Sequence, residues 1–185
     1  MTTGLINNRY ELPGPADTMA LGRALASVLR AGDLVVLTGP LGAGKTVIAK
    51  GIGAGLGVLG VITSPTFVIA RIHRPDPDRG GTLPMVHVDA YRLSAAADPL
   101  AEIDDLDLDA TFDEAVTVVE WGEGLVERLT DAHLEARVDR DQAAVRDQAP
   151  VEVIGDPEDG AEPRVVTLVP HGGDWVARLT RLDLF

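Results

Sequence analysis

The chain has 185 residues, which is enough for one well-buried domain and barely enough for two. Hydrophobic residues make up 45% of it and charged residues 24%, as in soluble globular proteins, and the absence of cysteine excludes disulfides, thiol catalysis and cysteine-based zinc sites. A formal net charge of -13 argues against broad electrostatic binding to nucleic acid or anionic lipid, so we expect any link to nucleic acid to run through a protein partner.

The sequence gives no indication of secretion or of a membrane span. Its first stretch, MTTGLINNRYELPG, lacks a charged-then-apolar signal pattern, and we therefore expect a cytoplasmic protein. The uncharged run of residues 51–70 is long enough to cross a bilayer, but it contains five glycines and Pro65. We interpret it as the end of a helix, a loop and a strand inside a core.

The first predicted helix spans residues 18–32, with Asp17 or Thr18 as its cap and Gly32 at its end. Its apolar face consists of Leu21, Leu25, Val28 and Leu29. The short apolar run at residues 33–39 lies between turn residues, which is typical of a buried strand.

A second helix is predicted from Gly44 to Gly57. Its apolar side consists of Val47, Ile48, Ile52 and Leu56. Two strands are predicted next, at residues 66–74 and 83–93, and a turn-rich loop separates them. The acidic segment 98–108 has a partial helical period, which predicts a short exposed helix.

Four more strands are predicted in the C-terminal part, at residues 115–121, 133–139, 163–170 and 174–180. The last three have no helices between them, which indicates an antiparallel edge on a mostly parallel sheet. Residues 139–163 are rich in charge, alanine, proline and glycine, and we interpret them as an exposed, mobile insertion.

The most informative motif is GPLGAGKT, residues 39–46, which matches G-x-x-x-x-G-K-[ST] at every fixed position. A strand is predicted before it and a helix after it, as a phosphate-binding loop requires, although a ligand-free glycine-rich turn is the alternative. In such a loop, backbone N–H groups point at the phosphates, Lys45 reaches the β- and γ-phosphates, and the Thr46 hydroxyl ligates Mg²⁺. Of the 16 Lys and Arg residues only two are lysines, and one of them is Lys45.

This motif fixes the predicted fold class. We expect a P-loop NTPase-like α/β fold, with a mostly parallel sheet flanked by helices and an antiparallel C-terminal edge, and we expect residues 1–185 to form a single domain. The loop residues predicted to bind the nucleotide are Gly39, Leu41, Gly42, Ala43, Gly44, Lys45 and Thr46.

Two carboxylates follow predicted strands, where sheets of this class bind their ligands. Asp89 comes after MVHV and Glu120 after AVTVV, so both are candidates for the catalytic and Mg²⁺-binding side of the site, solvated loop carboxylates being the alternative. Trp121 either forms a wall of the site or fills the core. His87 shares a strand face with Asp89, and we interpret it as structural.

The nucleotide is expected to be ATP. A guanine-specific site would show an N-K-x-D signature, and the only asparagines of the chain are Asn7 and Asn8. Because that signature is absent, we expect the site to bind an adenine rather than a guanine nucleotide.

Four sequence blocks together resemble the TsaE (YjeE) family of small bacterial P-loop ATPases. They are GPLGAGKT, SPTF (64–67), HVDAYRL (87–93) and VVEW (118–121), and their order and spacing are similar to those of the family. The resemblance covers roughly residues 12–130 well and the last quarter loosely. It implies the ATPase component of the machinery that makes N6-threonylcarbamoyladenosine (t6A) at position 37 of tRNA.

The resemblance also implies partners. In that family the ATPase docks on a TsaB–TsaD heterodimer, TsaC supplies the threonylcarbamoyl adenylate, and TsaD transfers the group to tRNA. The chain would then meet tRNA only through that complex, and ATP hydrolysis would reset the complex between turnovers.

Residue roles follow from the resemblance as expectations. Lys45, Asp89 and Glu120 would serve catalysis, with Thr46, Asp89 and Glu120 on the metal side. The remaining nucleotide-site residues it implies are Thr18, Thr66, Trp121 and Arg164, of which Thr66 would sense the γ-phosphate. The segment 139–163 is longer than is usual in the family and leaves the match of Arg164 less secure.

Two further functions remain open from the sequence. One is a small phosphotransferase that moves the γ-phosphate to a metabolite or nucleoside. The other is a nucleotide-bound scaffold that does not hydrolyse, in which Asp89 and Glu120 only hold Mg²⁺.

Overall fold

The computed structural model of the chain describes residues 8–65, 69–93, 98, 101, 109–126, 129–140 and 163–182. The strands are β1 (Arg9–Leu12), β2 (Leu34–Thr38), β3 (Ala70–His73), β4 (Met85–Asp89), β5 (Val116–Glu120), β6 (His133–Arg140) and β7 (Arg164–His171). The α-helices are α1 (Pro15–Ala26), α2 (Lys45–Leu56), α3 (Asp109–Phe112) and α4 (Trp175–Leu179).

The strands form one sheet in the order β1-β7-β6-β2-β5-β4-β3. Its four central strands, β6, β2, β5 and β4, pair in parallel. Antiparallel strands complete both edges, with β7 and β1 on one side and β3 on the other. The predicted fold class, including the antiparallel C-terminal edge, is therefore confirmed, and a second antiparallel edge is added at β3.

Strands β2, β4 and β5 are short, mostly apolar and buried along their whole length, as parallel strands covered on both faces must be. One face packs against α1, α2 and α4, and the larger of two apolar clusters lies there. The smaller cluster lies on the other face, beneath Phe112, Leu125 and Leu129. The face of the sheet that packs against α2 is thus covered by the larger apolar cluster.

Helices α1 and α2 cross at two glycines with almost no space between their backbones. A Cβ atom at Gly22 would lie 2.4 Å from the carbonyl oxygen of Ile48, and one at Gly51 would lie 2.3 Å from that of Met19. This close approach brings the start of α1 beside the start of α2, where Gly44 lies next to the Thr18 methyl group.

The first helix is shifted relative to its predicted span of 18–32. It begins at Pro15, because the Gly14 N–H group donates to the Asp17 carboxylate at 2.9 Å in a capping interaction. It ends at Ala26 and not at Gly32. Two residues beyond this end, the Val28 carbonyl oxygen accepts from the Arg178 guanidinium, whose closer nitrogen lies at 2.7 Å.

The prediction of a strand at 174–180 is wrong, because these residues form helix α4. Gly172 and Gly173, both with positive φ, turn the chain after β7. Trp175, Arg178 and Leu179 are then buried at helical rather than alternating spacing. Arg178 anchors the helix by pairing with Asp33 and by lying 3.9 Å above the Trp175 ring.

Other boundaries also differ. Strand β1 was not predicted, since RYEL is short and only Leu12 is buried. The predicted insertion 139–163 begins two residues too early, because Asp139 and Arg140 complete β6, where Arg140 pairs with Arg164. The rest of that segment up to residue 162, and nearly all of the predicted acidic helix 98–108, lie outside the described residues.

The described part of the uncharged run 51–70 has the predicted course, since α2 ends at Leu56, residues 57–65 form neither a helix nor a strand, and β3 begins at Ala70. Across the part of the chain that the structure describes, none of the helices has both the length and the apolar character that a membrane crossing requires.

The contact between α1 and α2 predicts that Gly22→Ala destabilises the fold. Helix propensity alone would favour alanine by up to about 1 kcal/mol. A loss of stability would therefore be due to the steric clash with the Ile48 backbone. We expect the free energy of unfolding to fall by roughly 1–3 kcal/mol in urea titrations followed by circular dichroism. The neighbouring Arg23→Ala, on the exposed side of α1, is the control and should change it by less than about 0.5 kcal/mol. A more stable Gly22→Ala variant would contradict the close packing.

Candidate functional site

The GPLGAGKT motif forms the connection between β2 and α2. Gly39, Gly42 and Gly44 have φ values of 130°, 74° and 110°, which residues with side chains rarely adopt. At Gly39 a side chain is also excluded by space, since a Cβ atom would lie 2.1 Å from the Val138 carbonyl oxygen on β6. The loop is therefore a glycine-dependent turn seated against the neighbouring strand.

Helix α2 begins at this loop without a side-chain cap and without an acidic residue in its first turn. The N–H groups of a first helical turn have no partner within the helix. Together with the positive end of the helix dipole they favour an anion, so the residues that precede and begin α2 fit a phosphate group.

Lys45 is the first residue of α2, and its side chain is folded back over the loop. Its ammonium donates to the carbonyl oxygens of Gly39 at 2.7 Å and Pro40 at 2.9 Å, and it lies 3.6 Å from the centroid of the Trp121 ring. Burial lowers the pKa of this ammonium, while Glu120 and Asp89 oppose that shift. The cation is thus held at the loop with two carboxylates nearby.

The two carboxylates predicted at strand ends lie side by side. Asp89 on β4 and Glu120 on β5 are direct partners in the parallel register, and both are almost fully buried. Thr46 donates from Oγ1 to Glu120 Oε2 at 2.9 Å. A hydroxyl and two carboxylates are hard oxygen donors of the kind that Mg²⁺ binds, so this set fits the predicted metal.

Both carboxylates are held by further hydrogen bonds. Asp89 accepts from the Ser64 hydroxyl at 2.7 Å and from the Tyr91 N–H group at 3.0 Å. Glu120 Oε1 lies 2.9 Å from His87 Nε2. Sequence reasoning assigned His87 no role in chemistry, and the structure brings it to the predicted site.

Trp121 forms a wall of the site. It has a left-handed backbone with φ of 61°, and its N–H group donates to the Leu37 carbonyl oxygen on β2 at 3.2 Å. Its ring contacts Lys45 on one side and lies 5.2 Å from the Tyr91 ring. Such a conformation is strained for a tryptophan. The hydrogen bond to Leu37 links the residue after β5 to β2, the strand that precedes the GPLGAGKT loop.

The residues expected from the family resemblance have different positions. Thr18 lies beside the loop, but its hydroxyl donates to the Gly14 carbonyl oxygen at 3.1 Å within α1. Arg164 reaches the loop from β7, where its Nε donates to the Ala43 carbonyl oxygen at 2.9 Å. Thr66 lies outside the described residues.

The glycine-rich loop, the two carboxylates and Trp121 surround a cavity of about 500 Å³, whereas Thr18, Gly39 and Arg164 do not line it. It is lined by Leu41, Gly42, Ala43, Gly44, Lys45, Thr46, Val47, Ser64, Asp89, Tyr91, Glu120 and Trp121. Ser64 and Tyr91 were not singled out from the sequence. Tyr91 follows Asp89 by two residues, a spacing that indicates one side of an extended chain, whereas Ser64 comes close only through the fold.

Comparison with known proteins identifies the relatives of this chain. The family model described as "Threonylcarbamoyl adenosine biosynthesis protein TsaE" matches residues 12–148. The tRNA threonylcarbamoyladenosine biosynthesis protein TsaE of Streptomyces coelicolor is 52% identical over 155 residues, which cover 84% of this chain and 91% of that protein. The protein of the same name from Mycobacterium tuberculosis is 60% identical over 131 residues, covering 70% and 77%.

A solved structure agrees with this relationship. The crystal structure of YdiB from Bacillus subtilis superposes with a TM-score of 0.66 at 26% sequence identity, covering 94% of this chain and 92% of that one. The family resemblance found in the four sequence blocks is thereby confirmed, and the chain belongs to the TsaE family of threonylcarbamoyladenosine biosynthesis proteins.

Proposed function

We propose that this chain is a Mg²⁺-dependent ATPase that supports the formation of t6A in tRNA. The proposal rests on one observation. The glycine-rich loop, with Lys45 and Thr46, and two buried carboxylates line the same cavity. The names of its relatives refer to tRNA threonylcarbamoyladenosine biosynthesis, which supplies the biological setting.

ATP is the proposed nucleotide because the sequence lacks the asparagine of a guanine-recognition signature. Its only asparagines, Asn7 and Asn8, precede the first strand. The cavity of about 500 Å³ is within the range that small-molecule sites occupy.

Each residue of the site has a proposed part in hydrolysis. Bound Mg²⁺ would supply charge neutralisation for the β- and γ-phosphates. Lys45 would exchange its two loop carbonyl contacts for phosphate oxygens, and Thr46 would turn its hydroxyl oxygen to the metal. Glu120 would accept a hydrogen bond from a water molecule, and Asp89 is held nearby by Ser64.

The proposed partners are TsaB and TsaD homologues, with TsaC supplying the activated intermediate. A P-loop site with few dedicated catalytic groups hydrolyses slowly on its own, and a partner accelerates it by completing the site. The chain itself transfers no threonylcarbamoyl group in this proposal, and it meets tRNA only within the complex.

We expect Glu120→Gln and Lys45→Ala to separate catalysis from binding. Glu120→Gln keeps the shape of the side chain but removes its negative charge, so the residue becomes a poorer proton acceptor and a poorer metal ligand. The kcat for ATP should therefore fall about 10²–10⁴-fold, with little change in the affinity for Mg²⁺-free nucleotide. Lys45→Ala should weaken nucleotide binding itself. Phosphate release and calorimetric titration measure the two quantities.

Glu114→Gln is the matched control, since Glu114 is exposed and precedes the opposite end of β5. It should hydrolyse ATP at the wild-type rate. If Glu120→Gln also keeps full turnover, the carboxylate has no part in hydrolysis and the scaffold interpretation is favoured.

The partner part of the proposal predicts a slow basal ATPase that accelerates when TsaB and TsaD homologues are added. The expected rise in kcat is at least ~10-fold, by analogy with P-loop enzymes completed by an activating protein. A fast basal rate that the partners leave unchanged would contradict it. The same assay with labelled ATP detects transfer to an acceptor, and phosphate on a nucleoside or metabolite would instead favour a phosphotransferase.

Tryptophan fluorescence should report the movement of Lys45. The chain has two tryptophans, Trp121 beneath Lys45 and Trp175 beneath Arg178. Because binding of phosphate draws the ammonium off the Trp121 ring, Mg²⁺·ADP should change the emission of wild type and of Trp175→Phe. The change should be absent in Trp121→Phe, and its persistence there would show that Trp121 is not the reporter.

A further inference from the structure

His87 is a fully buried histidine whose only side-chain hydrogen bond, within the part of the chain that the structure describes, goes to the proposed catalytic carboxylate. Its Nε2 lies 2.9 Å from Glu120 Oε1, and its exposed fraction is 0%. Among the described residues its Nδ1 has no partner. Burying an imidazole with one nitrogen unpartnered costs free energy, and an apolar residue would fill the same space without that cost.

The sheet register explains why this histidine meets that glutamate. His87 and Asp89 project from the same face of β4, two residues apart, and Asp89 pairs directly with Glu120. His87 is paired with Val118 and therefore lies one step further inside the sheet, beneath the Glu120 carboxylate. Glu120 and Asp89 line the cavity and His87 does not, so His87 contacts the Glu120 carboxylate from the interior of the protein.

The direction of the hydrogen bond follows from the chemistry of the two groups. The proposed function requires Glu120 as an ionised carboxylate, which only accepts, so His87 Nε2 carries the hydrogen and donates a hydrogen bond to Oε1. The other oxygen, Oε2, accepts from Thr46. With Oε1 held from behind and Oε2 held from the front, the Glu120 carboxylate has one orientation, in which Oε2 alone faces the loop.

We propose that His87 is a positioning residue that fixes the Glu120 carboxylate so that Oε2 faces Thr46 and the proposed metal. The inference rests on the proposed function, since it assigns a role toward the same Mg²⁺ and nucleotide. Partners that orient metal-site carboxylates in this way typically change metal affinity or activity by about 10–100-fold when they are removed.

A second buried histidine supplies a matched control. His73 on β3 is 5% exposed, its Nε2 also has no partner among the described residues, and its ring centroid lies 6.5 Å from that of His87. No hydrogen bond joins it to Glu120 in the described residues. A change at His73 therefore disturbs the same region of the core without touching the carboxylate.

The test compares His87→Leu, His87→Gln and His73→Gln with wild type. Leucine removes the donor, whereas glutamine places an N–H group at the position of Nε2. We expect His87→Leu to lower the affinity for Mg²⁺·ADP and kcat by about 10–100-fold, with the affinity for Mg²⁺-free ADP unchanged. His87→Gln should restore most of the loss, and His73→Gln should match wild type.

A readout without nucleotide keeps the proposal testable if His87→Leu fails to fold. Long-range ¹H–¹⁵N spectra of the nucleotide-free wild type, at a pH where the ring is neutral, should show His87 protonated at Nε2 and not at Nδ1. The opposite tautomer overturns the proposal, as does a folded His87→Leu variant with wild-type affinity for Mg²⁺·ADP and wild-type kcat.

The two hypotheses fail in different ways. A wild-type chain that binds no Mg²⁺·nucleotide overturns the proposed function and with it the role of His87. A wild type that binds and hydrolyses ATP, with His87→Leu unaffected, overturns the role of His87 alone.

Discussion

The parallel pairing of β2, β5 and β4 is the constraint on which the site depends. Glu120 pairs with Leu37 on one side and with Asp89 on the other. Because the three strands end at the same edge of the sheet, the strand pairing itself places the loop that follows β2 next to both carboxylates. A slip of one residue in either pairing would turn a carboxylate to the opposite face, where the smaller apolar cluster lies.

The elements that position the site could be predicted from the sequence, because local patterns determine them. The strand–loop–helix of GPLGAGKT and the strands that end at Asp89 and Glu120 are where the motif and the apolar runs place them. The roles of these residues in binding and hydrolysis stay predictions. The family relationship was also readable, since four short blocks keep their order.

The errors have physical causes that no local pattern contains. The segment DWVARLT alternates well enough for a strand, yet a pair of left-handed glycines and the burial of Trp175 beneath Arg178 make it a helix. The first helix ends at Ala26, and beyond that end the Val28 carbonyl oxygen accepts from the Arg178 guanidinium, 150 residues away in sequence. The contact between His87 and Glu120 was likewise not readable from the sequence, because the two residues are 33 positions apart and become neighbours only in the sheet.

The pairing of β6 with β7 fixes where Arg164 meets the GPLGAGKT loop, whatever the length of the segment that connects the two strands. Arg164 contacts the Ala43 carbonyl oxygen from the start of β7, and its opposite partner in the sheet is Arg140, the last residue of β6. The ends of the intervening segment are therefore fixed to each other by the sheet, whatever number of residues joins them. Doubling the length of such a connection costs only about 0.6 kcal/mol in closure entropy. The number of residues in this connection can thus change while Arg164 keeps its contact with the GPLGAGKT loop.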